Sequence, residues 1–173
     1  MAVGRWAVAP GASRARLAVA MAAFAVLALL PDADVIAFTL GIPYGAPWGH
    51  RGATHSLAFA LATSAIVAGG AWRRSRSPLR TGALALVAIG SHGLLDALTD
   101  GGRGVALAWP LTDERFFAPM RPLPVAPIGA GLLSARGVYV VVVELLVFSP
   151  LSAFALWPRR AFPPVEPPVE PLE

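Results

Sequence analysis

Three histidines and four acids are the residues of this sequence whose types and spacing could do chemistry. Asp32 and Asp34 follow Pro31, His50 and His55 bracket Arg51-Gly52-Ala53-Thr54, His92 and Asp96 stand four residues apart, and Glu144 lies in the last apolar stretch. A spacing of i and i+4 puts an imidazole and a carboxylate on one helix face, one turn apart, where they can grip a metal ion. Nitrogen and oxygen donors of this kind suit Zn²⁺, with Mn²⁺ or Fe²⁺ as alternatives. With no cysteine in the chain, a thiolate site and a disulfide framework are both excluded. Asp32 and Asp34 would diverge on a regular helix and converge only if Pro31 breaks it into a turn. The expected ligands are Asp34, His50, His55, His92 and Asp96, with Thr54 or Ser56 capping the helix that follows. Asp32 and Glu144 are the candidates for proton transfer, and Arg51 and Arg115 for contact with an anionic substrate.

Each piece has a plainer reading. His92 with Asp96 alone is a hydrogen-bonded pair between helices, Pro31-Asp32 alone a helix stop, and His50 or His55 alone an interfacial polar residue. Glu144 could be a protonated acid bonded to another helix. Arg51 could orient a carboxylate or meet a lipid phosphate. The argument for a metal rests on convergence.

The elements that must bring these residues together are set by composition. Of 173 residues, 56% are hydrophobic, and the mean hydropathy is +0.64, which makes lipid the solvent for much of the chain. Four apolar segments, about Arg14 to Leu30, His55 to Trp72, Leu79 to Leu98 and Val138 to Trp157, approach the roughly 20 residues a spanning helix needs. The predicted fold is an all-α integral membrane bundle of about four transmembrane helices with a Pro/Gly-rich extracytoplasmic loop. Residues 1–13 form a cytoplasmic N-terminal segment, 14–160 the membrane-embedded domain and 161–173 a disordered Pro/Glu tail. A cleaved signal peptide is the other reading of the first segment. An acidic pair directly after its apolar core, with no small-x-small cleavage pattern, argues against that.

The net charge of +4 comes from fourteen Arg and no Lys, in short clusters between the apolar runs. That pattern fits an anionic lipid surface and offers no basic groove for nucleic acid. Nine Arg fall on the side of both termini and five on the other, so both termini are predicted cytoplasmic in a multi-pass protein of the plasma membrane. All seven histidines and acids then lie at the extracytoplasmic face, His92 and Glu144 each about 10 Å along a helix from that edge. Burying such groups costs several kcal/mol unless they are paired or bound to a cation, and one shared ion offsets the cost for the set.

The blocks Leu29-Leu30-Pro31-Asp32-Ala33-Asp34, Gly49-His50-Arg51-Gly52-Ala53-Thr54-His55-Ser56-Leu57 and Ser91-His92 through Asp96, Leu98 and Thr99 resemble, in order and sequence, the signature blocks of the YdjM family of inner-membrane, metal-dependent hydrolases. The likeness runs on through Trp109-Pro110 and Arg115-Phe116-Phe117, covering roughly residues 29–128. It implies a helical membrane protein with a metal centre built from these blocks, more distantly similar to zinc-dependent phospholipase C and P1-type nucleases. Many relatives carry a histidine near the N-terminus, often after glycine. This chain has Gly4-Arg5 instead, which implies one or two ions rather than a larger cluster.

The expected function is hydrolysis of a phosphodiester or ester, in a lipid or lipid-linked substrate, by a metal-activated water. The segment Thr99 to Gly137, with Trp109, Phe116, Phe117, Arg115 and Arg121, is the expected lid at the lipid headgroups. The rival is a non-enzymatic membrane protein with a structural metal, or a metal or proton pathway. A pathway needs ionisable groups through the full bilayer depth, and the cytoplasmic halves of these segments are nearly empty of them. Membrane lipid is the expected partner, and the sequence leaves the oligomeric state open.

Overall fold

The computed structural model describes residues 1–9, 11–74 and 77–157. The expected tail at 161–173, Ser75 and Arg76 of the basic hinge, and Arg159 and Arg160 lie outside the described residues. Regular structure among the described residues is helical, and the only β pairing is two isolated bridges in the long loop.

A short α1 (Ala2–Trp6) leads to α2 (Arg14–Leu29), whose first turn is capped by the Ser13 hydroxyl. Pro31 then tightens the chain into a 3₁₀ turn, Leu30–Val35, before helix resumes in α3 (Ile36–Thr39). A loop rich in Gly and Pro ends in a second 3₁₀ turn, Ala53–His55, which feeds α4 (Leu57–Arg73). The cap of α4 is Ser56, whose hydroxyl accepts from Phe59 N at 3.1 Å, while Thr54 is engaged elsewhere. Next come α5 (Pro78–Ala97), a long ordered loop, and α6 (Ala135–Val147) with α7 (Ser149–Leu156), bent by 65° where Pro150 cannot extend the α6 ladder.

Small residues let α4 and α5 approach closely: a Cβ on Gly82 would lie 2.9 Å from that of Ala68. Phe24 of α2 packs against Ala85 and Ala88 of α5 to form the core. Outward faces carry Val19, Val26, Leu61 and Ile66, each more than half exposed, the reverse of a water-soluble protein. The run Arg14–Thr39 alone is long and apolar enough to cross a membrane, and α6 with α7 passes the same test only as a bent pair. With 17 residues, α4 reaches about 25 Å against a hydrocarbon core of about 30 Å. Of the four expected spans, one or two therefore have the length and composition for it.

Candidate metal centre

The site forms where the first 3₁₀ turn, the second 3₁₀ turn and the C-terminal end of α5 meet. On the tight turn after Pro31, Asp32 and Asp34 point apart, and His55 fits between them. Its Nδ1 lies 3.1 Å from Asp34 Oδ2 and its Nε2 lies 3.4 Å from Asp32 Oδ1. The close approach of the His55 turn to α5 depends on Gly93, between His92 and Asp96, where a Cβ would fall 2.4 Å from the His55 carbonyl oxygen.

On the Nε2 side four donor atoms converge. His55 Nε2 is 3.2 Å from Asp96 Oδ2, and His92 Nε2 is 3.3 Å from Asp32 Oδ1 and 3.8 Å from Asp96 Oδ2. Ligands about 2.0–2.1 Å from a tetrahedral Zn²⁺ stand about 3.3–3.4 Å from one another, so these separations match the edges of a coordination polyhedron. Three of the atoms, His55 Nε2, His92 Nε2 and Asp96 Oδ2, are buried without a hydrogen-bond partner. Orphaned buried polar atoms cost about 1–3 kcal/mol each, and here they face one point. Two carboxylates with two neutral imidazoles also balance a divalent cation. The residues therefore fit a metal ion, with Asp32, His55, His92 and Asp96 as the set that could hold it.

The Nδ1 side is saturated. Asp34 accepts from His50 Nδ1 at 2.7 Å, the Thr54 hydroxyl at 2.7 Å and Arg51 N at 3.2 Å, besides facing His55 Nδ1. A proton on His55 Nδ1 directed at Asp34 fixes the tautomer that leaves Nε2 free, as carboxylates behind metal-binding histidines do. Asp34 and His50, expected as ligands, thus stand one layer behind the four-atom cage. With His55 they form a second group close enough to hold an ion, at the expense of those bonds. His50 is steadied by Tyr44, edge-on at 5.2 Å, whose phenol burial pushes above its ordinary pKa. His55 lies ahead of α4 and is fully buried. Burial alone would lower its pKa, but the carboxylates of Asp32, Asp34 and Asp96 around it push it up to about 10. The cage demands positive charge.

Arg51 is 4% exposed and adopts φ 61°, a conformation that costs a non-glycine residue about 1–2 kcal/mol. The turn directs its N–H to Asp34 and its guanidinium to Asp96 Oδ1, 2.9 Å away, with Thr99 Oγ1 at 2.9 Å and Gly101 O at 3.2 Å. Of the two roles open to it, orienting a carboxylate is the one its contacts serve. Arg115 donates to the carbonyls of Tyr44, Ala46 and His50 and so holds the loop that carries His50. Glu144 is exposed on α6, near enough to sense the Asp96 charge but outside the cage.

The long loop is stitched over the site: Ala106 N bonds Arg51 O at 3.0 Å, Leu57 N bonds Leu107 O at 3.0 Å, and Val105 is fully buried. Sequence reasoning passed over Gly93, Tyr44 and the role of Thr99. The signal for Gly93 was a lone glycine between two candidate ligands.

The family model for YdjM inner membrane protein matches residues 1–161. Inner membrane protein YbcI of Escherichia coli (strain K12) is 43% identical over 141 residues, which cover 78% of this chain and 81% of that protein. No solved structure matches.

Proposed function

The chain belongs to the YdjM inner membrane protein family, and from that premise we propose that it is a membrane-bound, metal-dependent hydrolase acting on a phosphodiester or ester of a lipid or lipid-linked substrate. The observation that carries this reading is the convergence of His55 Nε2, His92 Nε2 and Asp96 Oδ2, all buried and unpartnered, with Asp32 Oδ1. A divalent ion held there, Zn²⁺ before Mn²⁺ or Fe²⁺, would polarise the scissile group and acidify a bound water. Asp32 has the most open side chain of the four, 43% exposed, so water and substrate would reach the ion on that side, and its carboxylate can act as the base only where it is not itself bound to the ion. Asp34 holds His55, and Arg51 holds Asp96. In this reading α2, α4, α5 and the bent α6–α7 pair make a multi-pass bundle, with both termini cytoplasmic and the cage near the extracytoplasmic face. Trp48 and Trp109, edge to face at 5.2 Å, stand at headgroup level.

The test is turnover by the detergent-purified protein with Zn²⁺ or Mn²⁺ on a panel of phospholipids, soluble esters and nucleotides. Release from phospholipids, lost in His92→Ala, supports the reading. Cleavage of the soluble compounds alone overturns the lipid assignment, and no release from any of them overturns the activity. A structural metal is the second reading, favoured by the engagement of Arg51 and Arg115 within the protein. It requires that His92→Ala unfold the chain, whereas a catalytic ion leaves a folded, inactive variant with less metal.

A further inference from the structure

Among the described residues the backbone of α5 stands apart from that of the α6–α7 pair, and α7 meets the bundle through α1. The gap is a cavity of about 790 Å³. One wall is the stripe Leu84, Val87, Ser91 and Leu95 of α5, the other includes Leu151 and Phe154 of α7, and α1 closes the end away from the cage. Positions 84, 87, 91 and 95 recur at helical spacing, so they form one continuous face about 16 Å long. The cavity reaches the level of the metal centre, because Ser91 and Leu95 directly precede His92 and Asp96, which point about 100° further round α5. Its lining is apolar but for the Trp6 indole N–H and the Ser91 hydroxyl, the latter bonded to Ala88 O at 3.0 Å.

We infer that this cavity takes one acyl chain of a membrane diacyl lipid, whose headgroup is thereby presented to the His–Asp cage. The assignment of the headgroup rests on the hydrolase reading; that of the chain rests only on the multi-pass placement of the helices. Two features favour a lipid tail over a polar or peptide occupant. The walls are almost wholly apolar, and they include no charge. The cavity also opens along a helix face that carries Val87 and Leu151, both more than half exposed, so a chain can enter sideways from the bilayer. The volume lies within the roughly 300–1,000 Å³ of ordinary ligand sites, and each CH₂ that a chain buries there adds to its hold.

The experiment uses the full chain in nanodiscs of phosphatidylethanolamine and phosphatidylglycerol containing a trace of phosphatidylethanolamine with a diazirine in its acyl chain. After irradiation, labelled peptides are mapped by mass spectrometry. The expected result is labelling of residues 84–95 and 149–156 at least fivefold above that of the outward face of α4 around Ile66. Val87→Trp and Leu151→Trp, which fill the cavity, should remove this excess, while Ile66→Trp leaves it unchanged. Metal content and gel-filtration profile establish that each variant is folded. Equal labelling of all outward faces, or an excess that survives both cavity-filling variants, would overturn the inference, as would cross-links between two copies of the chain through these residues. A labelled cavity in a protein that hydrolyses no lipid would sink the activity and leave the acyl site standing.

Discussion

Asp32 and Asp34 share one 3₁₀ turn and one imidazole, yet their surroundings are opposite. Asp34 is buried and its two oxygens meet donors from His50, Arg51, Thr54 and His55. Asp32 is nearly half exposed and faces two imidazole nitrogens, both of them orphaned. A carboxylate whose lone pairs are all used positions its neighbours, whereas one set among unsatisfied atoms is available to an ion. The difference separates the scaffold of this site from its working face, and each substitution below falls on one side of that line.

Losing a cage imidazole should have the largest effect. His55→Ala and His92→Ala are expected to weaken metal binding by more than the roughly 10–100-fold typical of a change behind the ligands, read as metal per chain after gel filtration. Asp34→Ala strands two imidazoles around a vacated carboxylate. It should cost about 3–5 kcal/mol of stability, the price of breaking a buried ion pair, seen in chemical denaturation in detergent. Asp32→Asn should do the converse, lowering metal content while leaving the denaturation midpoint nearly unchanged. If Asp32→Asn and Asp34→Asn behave alike in both measurements, the distinction between the two acids fails.

Gly93→Ala places a methyl against the His55 carbonyl and should cost about 1–3 kcal/mol, the range for overpacking a tight contact. Its metal affinity falls only as far as His55 shifts. Acid should act more gradually. An imidazole must shed its proton to bind an ion, and the surrounding carboxylates push the pKa of His55 up to about 10, so metal affinity in wild type is expected to fall steadily as pH drops below about 10. Equilibrium dialysis at fixed metal concentration reads this directly, and constant occupancy down to pH 5 would argue against histidine ligands.

Much of the site was legible before any fold was known, because the relevant residues are costly to bury and all fell at one level of the chain. The Pro31 break, the i, i+4 pair on α5 and the gathering of Asp32, His55, His92 and Asp96 follow from that logic. The layering of the site was not legible. Whether Asp34 or Asp32 faces the cage depends on the pitch of a 3₁₀ turn, and Arg51 reads equally as a carboxylate's partner or a substrate contact until its φ of 61° turns it toward Asp96. Hydropathy marked four apolar segments and ended the second at Trp72, one residue from the end of α4, but could not show that α7 bends away at Pro150. The loop over the site lacks periodicity altogether. Its order comes from backbone bonds to Arg51, Leu57 and Ala97, which no local pattern encodes.

The central claim is that Asp32, His55, His92 and Asp96 hold one divalent ion. X-ray absorption spectroscopy of the purified protein, with metal content measured on the same sample, tests it most directly. The account predicts close to one ion per chain, with two nitrogen and two oxygen neighbours at about 2.0–2.2 Å and a signal abolished in His92→Ala. Metal content that is the same in wild type, His55→Ala and His92→Ala would contradict it.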